Sequence, residues 1–308
     1  MSDRTRPRLN SEIEQGETAA GAGVAIIGVG AVGSGLARSL YRTNYRLLAL
    51  VNRSKETAER LAAETGSPIV SDRVADIPPD AKLLFICTRE EDIPAVVDDL
   101  LATDLDFKRS VVAHVSGRLD AAILSPLGTR GARTLSFHPL GSFPPAGPSK
   151  TFEGLTIGIE GDPLAVAVGT AVALDLGAIP VEIPAEAKAA YHLAAAMASN
   201  YLVTLMGDVQ RLLTAVDLPL DLTDSLIEDT LENLRSATPG QALTGPIVRA
   251  DDDALVGQIS TLIQIAPELL SRFIALAEGT IDLAERSGRI SAEESAGMRK
   301  ILEEAGRP

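Results

Sequence analysis

Two side chains capable of acid–base chemistry lie one helical turn apart in the second half of the sequence. Lys188 and His192 are four residues apart in a long run of helix-forming residues, so they share one face of the predicted helix. Their neighbours are mostly alanine and leucine, and such surroundings lower the pKa of a desolvated lysine toward that of a usable proton donor. A lysine at the start of a helix can instead extend its ammonium group to solvent. We predict a catalytic pair, with Lys188 as proton donor and His192 assisting it.

Polar residues follow the predicted strands of the N-terminal half, where open parallel sheets bind their ligands. Cys87, Thr88 and Arg89 end one such strand, and we predict that they line a cofactor site. Ser116 and His138 follow further along the chain, and we predict that they bind substrate. Structural alternatives remain open, because Cys87 can be a small buried apolar residue and the proline after His138 can fix a turn.

Three polar residues of the C-terminal half are further candidates for substrate binding. Asn200 lies about 18 Å beyond Lys188 along the predicted helix axis, so the two reach one cluster only if the helix bends. Thr244 precedes a Gly-Pro pair that interrupts the helical pattern, and Arg249 follows that pair. We predict that Asn200, Thr244 and Arg249 contact substrate. A salt bridge between Arg249 and Asp251 that closes a helix–helix turn is the alternative.

A glycine-rich loop near the N terminus has the G-x-G-x-x-G spacing of dinucleotide-binding proteins. It follows a short apolar strand and opens a helix, which is the structural context that the motif requires. In such loops the first glycine permits a tight turn, the second lets the backbone approach a pyrophosphate, and the third lets helix and strand pack closely. The predicted phosphate-binding residues are Gly28, Val29, Gly30, Ala31, Val32 and Gly33.

The residues at the end of the second predicted strand indicate which dinucleotide is bound. NAD-binding proteins place Asp or Glu there, and its carboxylate binds the ribose 2′-hydroxyl. Here the residues are Asn52, Arg53 and Ser54. Because Arg53 can pair with a 2′-phosphate and Ser54 adds a donor, the sequence predicts NADP as the cofactor.

Alternating strand and helix patterns place these residues on an α/β fold, a Rossmann-type doubly wound parallel sheet. The predicted strands are 24–28, 46–52, 81–87, 110–115, 155–160 and 179–183. Beyond them only helical patterns follow, starting with one long helix over 185–216 and ending with a helix that a capping-box pattern begins at Ser291. We predict three regions: a disordered leader over 1–20, a Rossmann dinucleotide-binding domain over 21–183, and an all-helical substrate and dimerisation domain over 184–308.

The composition restricts the classes of partner. The net charge is -14, and nucleic acid is excluded because phosphate binding needs clustered cations. The sequence contains neither a membrane-spanning apolar run nor a signal-peptide pattern, so we expect a cytoplasmic protein that does not bind membranes. Cys87 is the only cysteine, and no Cys/His cluster has metal-ligand spacing, so we predict no metal site.

These motifs together resemble those of bacterial proteins that pair a Rossmann-like domain with an uncharacterised helical C-terminal domain. The resemblance covers most of the chain, and the layout is similar to that of the β-hydroxyacid dehydrogenase, ketopantoate reductase and pyrroline-5-carboxylate reductase group. Its matching segments are Gly28–Gly33, Asn52–Ser54, His114–Gly117, His138–Leu140, Lys188–His192, Asn200 and Leu243–Pro246.

The resemblance implies residue roles and also shows departures. Hydroxyacid dehydrogenases of that group carry catalysis on a Lys-x-x-x-Asn pair of the first long helix. Lys188 matches the lysine, whereas His192 stands where the asparagine is expected. The resemblance further implies Gly at position 250 and His at position 258, where this chain has Ala250 and Gln258.

The sequence therefore predicts an NADP(H)-dependent oxidoreductase that transfers a hydride to or from a small keto or hydroxy acid. By the resemblance, a ketopantoate-like 2-keto acid is the best guess, and we expect a homodimer formed through the helical domain. Two alternatives stay open. One is an NADP oxidoreductase that reduces an imine or a deazaflavin of the F420 type, and the other is a non-catalytic NADP-binding sensor.

Overall fold

A computed structural model describes residues 21–143 and 150–307. The chain divides into two compact units, Met1–Ser199 and Asn200–Pro308. The predicted leader over 1–20 lies outside the described residues. The division falls after the predicted boundary at 183/184, because the helix that carries Lys188 bonds to the sheet of the first unit.

The first unit contains one sheet with the strand order β3-β2-β1-β4-β5-β6-β7-β8. The strands are β1 Gly23–Ile27, β2 Arg46–Val51, β3 Ile69–Ser71, β4 Ala81–Ile86, β5 Val111–His114, β6 Arg133–Leu140, β7 Thr156–Gly161 and β8 Ile179–Glu182. All neighbouring strands are parallel except β6 and β7, which are antiparallel. The order of the first six strands is that of the Rossmann fold, so the predicted fold class is confirmed, with one antiparallel pair that was not predicted.

Both faces of this sheet are buried, as a doubly wound fold requires. The side chains of Val24 and Ile26 on β1 belong to one apolar cluster. Those of Ala25 and Ile27 belong to a second cluster on the opposite face. A strand buried on both faces has a continuous apolar sequence, and this is why β1 was predictable.

Strands β3 and β6 were not predicted from the sequence. β3 is only three residues long. β6 alternates, since Leu135 and Phe137 face the core while Ser136 and His138 point to the other side. The polar residues of β6 resembled a loop, but their spacing of two is that of a strand with one polar face.

The helices of the first unit flank the sheet. They are α1 Ala31–Arg42, α2 Lys55–Thr65, α3 Ile93–Leu101, α4 Ser125–Thr129, α5 Pro163–Asp175 and α6 Lys188–Ala196. A π-helical segment, Met197–Tyr201, follows α6 and interrupts the single helix predicted over 185–216. Such segments insert an extra residue into a helical turn and therefore shift the face on which later residues lie.

Every element of the second unit that the structure describes, through residue 307, is helical. The helices are α7 Leu202–Ala215, α8 Asp224–Ser236, α9 Pro239–Ala242, α10 Asp252–Ile265, α11 Leu270–Arg286 and α12 Ala292–Ala305. Leu255, Ile281 and Met298 form the centre of an apolar core shared by α10, α11 and α12. The predicted capping box is confirmed, because Ser291 Oγ accepts from the Glu294 N–H and the Glu294 carboxylate accepts from the Ser291 N–H.

Among the described helices, none has both the length and the apolar character that a membrane crossing needs.

Ala250 has a backbone conformation that explains the glycine expected there. Its φ is 49° and its ψ is 45°, in the left-handed region, at the end of the short 3-10 helix Ile247–Arg249. A Cβ disfavours this conformation, whereas glycine adopts it freely.

We predict that Ala250→Gly raises the free energy of unfolding by about 0.5–1 kcal/mol, because it removes this backbone strain. The matched control is Ala296→Gly in the exposed middle of α12, which should lower it by about 1 kcal/mol. Urea unfolding followed by circular dichroism measures both changes. Equal destabilisation by the two substitutions would contradict the strain at Ala250.

Candidate functional site

The glycine loop after β1 is shaped by contacts with the loop after β4. Gly28 has a φ of 93°, and a Cβ there would lie 2.7 Å from the Thr88 nitrogen. A Cβ at Gly33 would lie 2.0 Å from the Gly28 carbonyl oxygen. Around Gly30, by contrast, no described atom lies within 4 Å of the Cβ position. Gly28 and Gly33 are therefore needed for close packing, while Gly30 leaves open space at the start of α1.

Polar contacts hold this loop in place. The Val29 N–H donates to Asn52 Oδ1 at 3.1 Å, and Asn52 Nδ2 donates to the Ser54 carbonyl at 2.9 Å. Ser34 Oγ donates to the Val29 carbonyl at 2.7 Å. Within the described residues, no side chain caps the N terminus of α1. The exposed Gly30 and Ala31 and the half-buried Val32 therefore present a helix N terminus with open space beside it, which fits a pyrophosphate.

The residues predicted to select the 2′-phosphate lie at the surface. Arg53 is 84% exposed, and its Nη2 lies 3.2 Å from Asp92 Oδ2. The exposed Ser54 has its Oγ 3.4 Å from Thr57 Oγ1. Asp92, which immediately precedes α3, was not identified from the sequence. Its carboxylate partly offsets the positive charge of the Arg53 guanidinium group. Because this ion pair is exposed to solvent, it is weak and a phosphate can displace it.

The three residues after β4 have different environments. Cys87 is buried, packs against Gly33, and burial raises the pKa of its thiol to about 12, so it behaves as a small apolar residue. Thr88 Oγ1 is buried and has no hydrogen-bond partner among the described residues. Arg89 is exposed, with a guanidinium nitrogen 3.5 Å from Glu91. Thr88 is thus the residue of this segment whose polar group is free for a ligand.

Lys188 extends inward and not to solvent. It is 3% exposed, its Nζ donates to Ser136 Oγ at 2.6 Å, and the Ser116 carbonyl oxygen is 3.4 Å from the same Nζ. Burial lowers the pKa of Lys188, and the negative charge of nearby carboxylates, with Glu160 contributing most, partly opposes this. The ammonium group therefore lies beside the carboxyl end of β5, at the same edge of the sheet as the glycine loop.

The turn after β5 is held by His114. Its Nδ1 accepts from the Ser116 N–H at 3.2 Å, so Nε2 carries the proton and donates to the Asp120 carbonyl at 3.0 Å. Burial, with a smaller contribution from Lys188, lowers the pKa of His114 to about 4. The Ser116 hydroxyl donates to the Glu90 carboxylate. His114 therefore has a structural role, and the Ser116 hydroxyl is engaged by Glu90 from the segment after β4.

Two histidine rings meet beside Gly117, and a tyrosine contacts one of them. His138 Nδ1 lies 2.8 Å from the Tyr191 hydroxyl. A Cβ at Gly117 would lie 2.7 Å from His138 Nε2 and 2.9 Å from His192 Nδ1. Within the described residues, the buried His192 Nδ1 has no hydrogen-bond partner. The predicted residues His138, Lys188 and His192 are therefore brought together in the first unit.

The other predicted substrate residues belong to the second unit. Asn200 is exposed in the π-helical segment, and its carbonyl accepts from the Thr204 hydroxyl at 3.1 Å. Thr244 and Arg249 are exposed. The alternative salt bridge between Arg249 and Asp251 is absent from the described residues, since Asp251 caps α10 by accepting from the Ala254 N–H at 3.0 Å.

Ser136 was missed from the sequence, and so were the roles of Gly117 and Tyr191. Ser136 and His138 are two residues apart on β6, while Lys188 and Tyr191 are three residues apart on α6. These two spacings let one strand face bind one helix face at two points. Recognising the polar alternation of β6 would have indicated Ser136.

Comparisons with known proteins agree with this architecture. A model of a Rossmann-like domain matches residues 5–139, and a model of a domain of unknown function, DUF2520, matches residues 155–280. The resemblance to proteins that join these two domains is thereby confirmed. No protein of curated function matches the sequence.

Solved structures share the fold at low sequence identity. A candidate NADP oxidoreductase from Bacteroides fragilis is 21% identical, with 85% of this chain and 99% of that chain covered and a TM-score of 0.73. A Thermotoga maritima protein is 23% identical, with 92% and 100% covered and a TM-score of 0.62. An imine reductase from Myxococcus stipitatus in complex with NADP+ is 19% identical, with 92% and 93% covered and a TM-score of 0.54. At these identities the likeness is one of fold.

Proposed function

We propose that this protein is an NADP(H)-dependent oxidoreductase that transfers a hydride to or from a small keto or hydroxy acid. The observation that carries the proposal is the buried ammonium group of Lys188, held at the carboxyl end of β5 by Ser136 and the Ser116 carbonyl. The glycine loop lies at the same edge of the sheet, which is where open α/β sheets bind nucleotides.

The residues present fit a dinucleotide. The open space at Gly30 and the uncapped start of α1 would hold the pyrophosphate, and Arg53 would pair with the 2′-phosphate. Thr88 would satisfy its buried hydroxyl on the cofactor side of the site. When bound, a nicotinamide cofactor supplies or accepts the hydride. This choice of cofactor is supported by two proteins of similar fold, a candidate NADP oxidoreductase and an imine reductase in complex with NADP+.

Lys188 supplies positive charge that stabilises the developing alkoxide of a reduced carbonyl. An alkoxide is too basic to form without a cation or proton donor nearby. Because Lys188 is almost fully buried and its Nζ is held by the Ser136 hydroxyl and the Ser116 carbonyl, it acts through its charge, while His192 lies one turn further along the same helix. A non-catalytic sensor would not need a charge buried at this cost.

The substrate class is tested against its alternatives in one screen. Oxidation of NADPH is followed with small 2-keto acids, including ketopantoate, and in parallel with cyclic imines and with a deazaflavin. Turnover of keto acids supports the proposal. Turnover restricted to imines or to the deazaflavin would refute the keto-acid proposal in favour of that substrate. Tight NADPH binding without any turnover would indicate a non-catalytic sensor.

We further propose that the second unit forms a homodimer. Neither α7 nor α8 has a buried residue, and large apolar side chains lie on both, with Val203 70% and Leu226 65% exposed. Helices of this composition are normally covered, and a second copy of the chain would cover them.

The first prediction concerns cofactor selectivity. NADPH should bind about ten- to a hundredfold more tightly than NADH, because a charge-assisted bond to phosphate contributes about 1.5–3 kcal/mol. Arg53→Ala should remove most of this preference and leave NADH binding unchanged. Asp92→Asn should strengthen NADPH binding, since the competing carboxylate is removed. Calorimetric dissociation constants test all three proteins, and equal affinities of the native protein for both cofactors would refute the assignment.

The second prediction concerns the buried lysine. Lys188→Met should lower turnover by about a hundredfold or more, the scale of general acid–base groups, while NADPH affinity changes little. Lys300→Met, on the exposed face of α12, is the matched control and should keep native turnover. Near-native turnover of Lys188→Met, measured with the substrate found in the screen, would show that the lysine takes no part in the reaction.

The third prediction concerns assembly. Light scattering at micromolar concentration should give the mass of a dimer. Leu226→Glu should yield a folded monomer, because the side chain is exposed within one chain and a charge there is buried only on association. Ala296→Glu on exposed α12 should remain dimeric. A native protein that is monomeric at this concentration would overturn the proposal.

A further inference from the structure

Gly117 lets two histidine rings close onto the backbone beside β5. The residue is buried and its φ is not in the left-handed region, so its lack of a side chain matters for space and not for backbone conformation. A Cβ there would lie 2.7 Å from His138 Nε2 and 2.9 Å from His192 Nδ1. The ring centroids are 6.4 Å apart, and both nitrogens approach the position that a side chain of residue 117 would occupy.

Tyr191 determines which nitrogen of His138 carries the proton. Burial raises the pKa of Tyr191, so its phenol keeps the proton that it donates to His138 Nδ1 across 2.8 Å. Burial, and next the positive charge of Lys188, lowers the pKa of His138 to about 4. A neutral ring whose Nδ1 accepts must carry its proton on Nε2. His138 therefore presents an N–H donor toward Gly117.

His192 presents the second nitrogen, and its need for a partner is unmet. Nδ1 is buried and has no hydrogen-bond partner among the described residues. Buried polar groups in proteins are almost always paired, and exceptions concentrate where a ligand completes the bond. The partner must lie near Gly117, since both nitrogens border that position.

We infer that His138 Nε2 and His192 Nδ1 bind one oxygen atom of the substrate between them, the carbonyl oxygen of a keto acid or the hydroxyl of the corresponding alcohol. This inference rests on the proposed function and deepens it, because it names the atoms that bind the reacting oxygen. Tyr191 acts as a positioning residue through His138. Gly117, which has no side chain, lets both ring nitrogens approach the backbone.

The two nitrogens have distinct roles in the reaction. In reduction, the carbonyl oxygen accepts a hydrogen bond from His138 Nε2–H. The carbonyl carbon would gain the hydride that a bound nicotinamide cofactor supplies, and the C=O π pair would pass to oxygen. The oxygen then takes one proton from His192 Nδ1, so the step yields an alcohol and a His192 ring with one proton fewer. In oxidation, His192 Nδ1 takes the hydroxyl proton as the hydride leaves carbon.

This arrangement also favours one substrate class. A carbonyl oxygen accepts hydrogen bonds and matches the N–H of His138. The nitrogen of a protonated imine is a donor, and it would face another donor. The site therefore favours keto and hydroxy acids over iminium ions.

The decisive variant is Gly117→Ala, whose Cβ displaces both ring nitrogens without removing a functional group. We expect turnover to fall at least about a hundredfold while NADPH affinity stays within about twofold. The matched control is Gly128→Ala in α4, where the nearest atom to a Cβ, Thr134 Cγ2, is 3.9 Å away and turnover should be unchanged.

A second readout on the native protein does not depend on turnover. The chain has 3 histidines, so their ring nitrogens can be resolved by NMR and assigned with His→Gln variants. We expect His138 to be a neutral Nε2–H tautomer near pH 6, and Tyr191→Phe to produce a mixture of tautomers. Oxamate, a non-reducible mimic of a 2-keto acid, should shift the His138 and His192 signals in the presence of NADPH and leave His114 unchanged.

The outcomes separate the inference from the proposed function. NADPH binding and keto-acid turnover, combined with native turnover of Gly117→Ala or with unshifted His138 and His192 signals, overturn the inference alone. A mixture of His138 tautomers in the native protein also overturns it. Failure to bind NADPH overturns both. If Gly117→Ala does not fold, the NMR measurements on the native protein decide.

Discussion

The hydrogen bond between Lys188 Nζ and Ser136 Oγ joins α6 to the sheet, and the rest of the candidate site depends on it. The ammonium group of a lysine residue that is 3% exposed has lost hydration, so it needs polar partners from the protein. Ser136 on β6 and the Ser116 carbonyl after β5 supply them. Because one partner lies on β6 and the other in the turn after β5, the lysine fixes the helix relative to both.

From this contact the remaining groups follow by geometry. One turn along α6, Tyr191 reaches His138, which is two residues beyond Ser136 on the same face of β6. His192 then lies against Gly117, next to the carbonyl that Lys188 contacts. The positive charge of Lys188 also helps to keep the imidazoles of His114 and His138 neutral. One buried charge therefore influences both the positions and the protonation of its neighbours.

The polar face of β6 lies where this strand forms an antiparallel pair with β7. In a parallel sheet covered by helices, both faces of a strand are apolar. β6 instead has one apolar and one polar face, and the backbone of β7 at Gly158 leaves room for the Tyr191 hydroxyl. The polar cluster thus lies where the Rossmann order ends and the sheet is extended by β7 and β8.

The sequence by itself determined the Rossmann fold class with six of the eight strands, the glycine loop and the helical character of the chain after Glu182. Each depends on local signals: continuous apolar runs, glycine spacing and helical periodicity. It also indicated Lys188 and His192 as one helix face. Only the tertiary structure decided that Lys188 extends inward, that Asp92 pairs with Arg53, that His114 is structural, and that Gly117 lies between two histidine rings. These contacts join residues far apart in sequence, so their partners cannot be identified from the pattern around any single residue.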